Sequence, residues 1–397
     1  MSYLDKLLEG IQVEWGILGD FADYEQPTKY LVKSNNYNDK YNTPVLTAGK
    51  TFILGYTDEN DGIYEASKNP VIIFDDFTTS NKWVDFDFKA KSSAMKMITS
   101  KDESKALLKY IFYWLNTLPS GLVNGDHKRQ WISNYSNKQI PIPPLEIQRE
   151  IIRILDNFME LTAELTAELT AELTARKKQY LFYREQFFNF NEVEVGREPL
   201  GVIGKFQRGK RFVKEDIISE GVPCIHYGEM YTYYGTWAKE SKSFLSQELV
   251  ERKNLRIAEN GDVVIVAAGE TIEDIGMGTA WLGDSGVVIH DACFSYKSPL
   301  NPKYLAYFTR TKQFHDQIKK HISSGKISAI NARGLEKVLI PVPSPEEQER
   351  IVTILDKFDI LTTSISEGLP KEIKLRKKQY EYYRDLLLTF PKNNIES

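Results

Sequence analysis

Two adjacent carboxylates, Asp75-Asp76, follow the apolar run Val71-Ile72-Ile73-Phe74, and histidines stand at positions 127, 226, 290, 315 and 321. A carboxylate pair could hold a divalent cation, and a histidine could move a proton at neutral pH. The spacing favours neither. Asp75-Asp76 falls where a buried strand should end in a turn. The histidines are scattered, with no Cys/His ligand spacing, no HExxH and no GxxxxGK[ST] phosphate loop in the chain. An amino-methylating site needs an Asn/Asp-Pro-Pro-aromatic loop, and Ile142-Pro143-Pro144-Leu145 has the wrong outer residues. No catalytic residue, metal site or cofactor is therefore assigned to this chain.

A different chemistry is open to it. Base edges are read by polar side chains on loops, and phosphates are gripped by Lys, Arg and backbone donors. In the first half, the candidates are Lys50 in the small loop Thr47-Ala48-Gly49-Lys50, then Lys91, Ser92, Ser93 and Lys96 in a basic, hydroxyl-rich stretch, then His127, Lys128 and Arg129. In the second half, Gln207-Arg208-Gly209-Lys210-Arg211 is the densest basic loop, with Arg208, Lys210 and Arg211. His226, Tyr227, Tyr231, Tyr233 and Tyr234 add rings and hydroxyls, and Ser324 and Lys326 close the set. A solvated turn is the competing reading of each. The net charge of −4 is unusual for a general nucleic-acid binder, and only residues 197–340 are net basic. Tight binding to DNA would need phosphate neutralisation from a partner.

Positioning these loops falls to a repeat. At a shift of 200 residues, Ile140-Pro141-Ile142-Pro143 returns as Ile340-Pro341-Val342-Pro343. Gln148, Ile151, Ile154, Leu155, Asp156 and Phe158 return as Gln348, Ile351, Ile354, Leu355, Asp356 and Phe358, and RKKQY at 176–180 returns at 376–380. Each copy begins with prolines that exclude helix. An acidic first turn and apolar residues at steps of three and four follow, which predicts an amphipathic helix of about 45 residues, or about 65–70 Å. A helix that long with one apolar stripe needs a partner, and the other copy is the obvious one. In the first copy, residues 160–175 read ELTAELTAELTAELTA, a helix-compatible spacer. In the second, Gly368-Leu369-Pro370 should kink or break the helix.

Each helix is preceded by a unit of short β-like runs punctuated by Gly, Asn and Asp, with one helical stretch near 103–118 or 302–321. The units open alike, with Ile17-Leu18-Gly19 and Pro199-Leu200-Gly201, yet differ in their centres. One scaffold presenting two different reading heads accounts for that contrast. The chain has no apolar run of the roughly 18 residues a membrane helix needs. Its first residues do not read as a secretory signal, and Cys224 and Cys293 make no disulfide framework, so a reduced, cytoplasmic setting is expected.

The order of variable unit, IPxP-led helix, variable unit, IPxP-led helix resembles the DNA-specificity subunits of type I restriction–modification systems. The resemblance is carried by the two P-x-P…Q…I-x-x-I-L-D-x-F segments, the two RKKQY-x-x-Y-R segments and the TAEL repeat. The stretches TPVLTAGKTFILGYTDENDGIY and VIIFDDFTTSNKWVDFDFKAKSSAMKM also look like the first recognition domain of that family. It implies an α+β fold: two target-recognition domains with curved β-sheets, joined by two long antiparallel α-helices in a pseudo-twofold repeat. The corresponding spans are an N-terminal segment 1–18, target-recognition domains 19–140 and 197–340, a central conserved helix with the TAEL spacer at 141–196, and a C-terminal conserved helix at 341–397. It also implies partners: double-stranded DNA, two methyltransferase (modification) subunits, and restriction/translocase subunits in the full complex. Those subunits, not this chain, would bind S-adenosylmethionine, ATP and magnesium. Arg176, Lys177 and Lys178, with Arg376, Lys377 and Lys378, would dock the methyltransferase subunits or simply solvate the helix ends; Tyr180 and Tyr380 beside them would anchor such a partner or pack between the helices. The rival readings are a coiled-coil scaffold that recognises protein and an enzyme with an unfamiliar active site.

Overall fold

A computed structural model describes residues 7–49, 51–119, 129–191, 193–323, 325, 327–363 and 367–391. The chain forms two compact units of mixed helix and sheet. One runs as far as Glu168 and takes in the stretch from Ile373 onward; the other is Leu169–Glu372. Each boundary therefore falls inside helical sequence, so each unit owns one head and parts of both repeat segments.

In the first unit, Ala22–Glu25, Met95–Ser100, Val71–Asp75 and Asn81–Val84 form a four-stranded antiparallel sheet in that order. Ile53–Thr57, Thr43–Leu46 and Lys89–Ala90 form a second, three-stranded sheet. The helix Leu108–Leu115 is buried along nearly its whole length. Its core joins Phe74, Tyr110 and Trp131 to Ile151 and Leu155 of the central helix and to Leu387 and Phe390 from the end of the chain. In the second unit, a five-stranded sheet runs Lys205–Arg208, Cys293–Lys297, Val263–Val266, Gly278–Trp281, Trp237–Ala238. A four-stranded sheet runs Ser243–Leu245, Val222–Ile225, Val287–Ile289, Ile257–Ala258. Phe188, Tyr304, Phe308, Ile351 and Leu355 share its largest core.

The repeated sequence residues make the same anchor twice. In each unit a short strand pairs antiparallel with the IPxP segment, Glu14–Ile17 with Gln139–Ile142 and Arg197–Pro199 with Leu339–Pro341. The Tyr110 hydroxyl donates to the Pro141 carbonyl at 2.8 Å, and that of Tyr304 to Pro341 at 3.0 Å. Gln148 donates to the Pro143 carbonyl at 2.8 Å and accepts from the Leu107 N–H at 2.9 Å; Gln348 does so with Pro343 and Asn301, both at 2.9 Å. Tyr113 donates to Asp156, and Tyr307 to Asp356. Lys109 pairs with Asp156 at 3.0 Å and Lys303 with Asp356 at 2.6 Å. Phe158 packs on Tyr383 with ring centroids 5.3 Å apart, and Phe358 on Tyr183 at 5.7 Å. Hydrogen bonds to an ionised group each contribute about 1.5–3 kcal/mol, so these anchors fix each head on its own helices.

The central helix, Leu145–Phe187, is 43 residues long, about 65 Å at 1.5 Å per residue. Its apolar stripe is buried at Ile151, Ile154 and Leu155. Through the TAEL segment, Leu161 is exposed and Leu165, Leu169 and Leu173 are half-buried, so this stretch adds length without a core of its own. Continuous helix is not what the second copy forms. It divides into Pro345–Thr363 and Leu369–Leu388. Pro370 is the second residue of the latter, where its missing N–H costs nothing, so the break precedes the proline instead of falling on it. Gly368 is required there, because a Cβ would lie 2.4 Å from the Ile360 carbonyl oxygen. Among the described residues, no helix is long and apolar enough to cross a membrane. Cys224 and Cys293 are free thiols, both buried.

Candidate nucleic-acid interface

In the second unit, strands Val222–Ile225 and Val287–Ile289 pair in parallel, Cys224 opposite Val288 and Ile225 opposite Ile289. The next residues along, His226 and His290, therefore emerge side by side, with ring centroids 4.9 Å apart. Tyr227 lies 4.6 Å from His226 and 5.2 Å from His290, and Phe212 lies 5.1 Å from His290. His290 Nδ1 accepts the Ala292 N–H at 3.1 Å, leaving Nε2 to donate to the Phe212 carbonyl at 3.0 Å. Burial holds both imidazoles below their ordinary pKa, in the neutral form. Glu229 accepts the His226 backbone N–H at 2.9 Å and the Ser243 hydroxyl, which fixes the start of the loop.

The basic loop is clamped to this cluster. Gly209 donates its N–H to the Cys293 carbonyl at 3.0 Å and Lys210 to that of Ile289 at 3.3 Å. A Cβ at Gly209 would sit 2.1 Å from the His290 carbonyl oxygen, so only glycine fits. Arg208 Nε donates to the Asp291 carbonyl at 2.9 Å. Its guanidinium lies 5.8 Å over the Phe294 ring. Arg208 and Arg211 are exposed and Lys210 half-buried. Two arginines on a rigid loop beside a ring cluster form a suitable surface for phosphates and base edges.

In the first unit, Lys91 donates to the Asn35 side chain and lies 5.8 Å over the Tyr37 ring, while Ser92 and Ser93 are exposed. Arg129 is exposed at the start of the short helix Gln130–Ser133. Asp75 acts as a turn former: it accepts the N–H groups of Phe77 at 2.9 Å and Thr78 at 3.3 Å and the Thr78 hydroxyl at 2.7 Å. Among the described residues, no group of three or more His, Cys, Asp and Glu could hold a metal ion.

The sequence model of the type I restriction modification DNA specificity domain matches this chain twice, over residues 12–175 and 193–375. The chain belongs to the type I restriction–modification DNA-specificity family. It is 51% identical to the EcoR124I/EcoR124II specificity subunit of Escherichia coli, covering 99% of this chain and 98% of that one. It is 33% identical to a putative type I specificity subunit of Haemophilus influenzae, with 98% of each chain covered. A chain from a structure of type I R-M complex assembly and conformational transition shares the fold, with TM-score 0.63 at 16% identity over 96% of this chain and 98% of that chain. As a specificity subunit, this chain is a recognition protein and not a catalyst.

Within this specificity subunit, several candidates drawn from sequence take other roles. Lys96 does not face solvent. It is fully buried, its ammonium 3.7 Å from the Asp76 carboxylate and 4.8 Å over the Tyr24 ring, and burial lowers its pKa. Tyr234 is also buried: its hydroxyl accepts the Lys242 N–H at 2.9 Å, which makes it a loop support. Tyr231 is half-buried with its hydroxyl enclosed, and Tyr233 is exposed with Lys242 5.1 Å over its ring. Of the docking candidates, Tyr180 is buried 6.4 Å from the Phe358 ring, and Tyr380 is half-buried. Arg176 bonds Glu172 at 2.6 Å and Gln179 at 2.8 Å, and Arg376 bonds Gln379 at 3.4 Å. Lys177, Lys178, Lys377 and Lys378 are exposed. Lys50, His127, Lys128, Ser324 and Lys326 lie outside the described residues. His290 was not legible as a member of this cluster, because the parallel pairing that joins His226 to a residue 64 positions later leaves no local signal.

Proposed function

We propose that this specificity subunit reads a split DNA sequence, with one target-recognition domain, 19–140 or 197–340, on each half-site. The segments 141–196 and 341–397 act as an antiparallel helical pair related by a pseudo-twofold axis. They set the distance between heads and carry the docking surface for two modification subunits. Restriction/translocase subunits join the full complex, and the cofactors of methyl transfer and translocation belong to those partners. The working place is the cytoplasm, where the DNA is.

One observation carries this reading. The family model matches twice, and the anchor residues of both matches make the same contacts, while the exposed loops differ between heads. A common mount with different reading surfaces suits two unlike half-sites. The test is to exchange residues 19–140 for the first domain of another family member and map methylated sites in cells. One half of the site should change and the other persist. A change in both halves contradicts the reading.

A further inference from the structure

The apex of the first unit's hairpin, between Val71–Asp75 and Asn81–Val84, has no part in the core or in the anchor. It is nevertheless held from several sides. The Asp75 carboxylate takes two backbone N–H groups and a hydroxyl of the turn. Asp76, also buried, accepts the Trp131 N–H at 2.8 Å on its carboxylate and the Gln130 N–H at 2.9 Å on its carbonyl. Thr79 is buried with φ 61°, one of two non-glycine residues at positive φ among the described residues. A β-branched residue adopts that conformation only under constraint, and such strain concentrates at functional sites.

This constraint presents Phe77 outward, 41% exposed, while Asp76 and Thr79 on the same turn are buried. The charges around it are also arranged. Both aspartates of the turn spend their carboxylates inward, and Lys96 sits buried against Asp76, so the apex offers no bare carboxylate to an approaching phosphate. Arg129 is next to Gln130, whose N–H binds the carbonyl of the residue preceding Phe77. Gln26, with its amide oxygen turned toward them, accepts from Lys96 Nζ at 3.2 Å and from Arg129 Nη1 at 3.3 Å. An exposed ring and an exposed guanidinium thus leave adjacent backbone positions of a rigid surface.

We infer that Phe77 is a specificity-determining residue that makes an apolar contact with a base of the half-site read by the first unit, with Arg129 on the neighbouring phosphate. The chemistry is that of a ring against a thymine methyl or a base step, beside a cation on the backbone. Lys96 is then a positioning residue that neutralises the turn from beneath. The inference rests on the functional reading above.

The test uses the full chain assembled with its modification subunits, with anisotropy titrations on a duplex carrying the parental methylation site and on an unrelated duplex. Phe77→Ala should weaken binding to the parental site about tenfold, leave the unrelated duplex unchanged, and loosen the methylated motif in the first half only. Phe77→Leu, which keeps an apolar apex, should retain most of the affinity. Arg129→Gln should weaken both duplexes and reduce the slope of log affinity against log salt by about one. A Phe77→Ala complex indistinguishable from the parent overturns the inference. So does equal loss by Phe77→Ala and Phe77→Leu on both duplexes, which marks a role in folding alone. A parental complex whose methylation pattern is independent of this chain overturns the functional reading, and the inference with it.

Discussion

Tyr307 donates its hydroxyl proton to the carboxylate of Asp356 at 2.7 Å, joining the second head to the helix Pro345–Thr363. Tyr113 and Asp156 make the equivalent bond in the first unit. In both pairs a lysine shares the carboxylate, and the phenol lies in the core, so the bond is partly shielded from water. Tyr307→Phe should destabilise the second unit by about 1–2 kcal/mol, and Tyr113→Phe the first by a similar amount. Chemical unfolding with hydrogen-exchange readout per unit checks this. Loss of protection in the other unit instead would contradict it.

The buried ion pair makes a larger prediction. Lys96 is fully buried and Asp76 nearly so. Lys96→Ala leaves that carboxylate uncompensated and should cost about 3–5 kcal/mol. Adding Asp76→Asn to Lys96→Met should recover most of the loss, because the Asn oxygen can still accept the Trp131 N–H. Thermal unfolding of Lys96→Ala, Lys96→Met and the double variant decides it; a Lys96→Met chain already as stable as the double variant would show that Lys96 acts by volume, not charge.

Gly209→Ala drives a methyl group against the His290 carbonyl oxygen, 2.1 Å from the ideal Cβ. A backbone atom cannot rotate away, so the loop bearing Arg208 and Arg211 must shift. Binding of the assembled complex to its site should fall tenfold or more, and the motif should degrade only in the half read by the second unit. Parental binding by this variant would remove the loop from the interface.

Acid should act on one unit first. His226, His290 and His315 are all held below the ordinary imidazole range, chiefly by burial, and all lie in the second unit. The unfolded chain takes up protons near pH 6.5 that the folded unit refuses, so stability is present above that pH and falls as pH drops through it. Hydrogen exchange at pH 7.5 and 5.5 should show the second unit losing more protection than the first. Equal loss in both would contradict the assignment.

The scaffold was legible because its signals are local. Prolines that forbid helix, a three-and-four apolar rhythm and a 200-residue shift mark the repeated segments, and the structure adds that Gln148 and Gln348, and Asp156 and Asp356, make matching contacts. The candidate interface was only partly legible. Arg208 and Arg211 stood out by charge, whereas His290 became visible only once two distant strands paired. Lys96 misled for a physical reason. In Met95-Lys96-Met97 the alternation predicts Lys outward, but this strand is buried on both faces and the ammonium finds Asp76. For Tyr180 the sequence left two readings open, a partner anchor or packing between helices, and the structure buries it beside Phe358.

The central claim is that the helical pair is a ruler between two reading heads. Each four-residue repeat adds about 6 Å of rise and about 40° of rotation to a straight helix. One base pair of DNA adds about 3.4 Å and roughly 34–36°. The rotations nearly match, and the excess length can be absorbed by tilt or by bending the duplex at a cost of a few kcal/mol. The decisive measurement is methylation-site mapping of a chain lacking Thr166-Ala167-Glu168-Leu169. The account predicts both half-sites unchanged and the unread gap shortened by one base pair; an unchanged gap, or altered bases in either half, would contradict it.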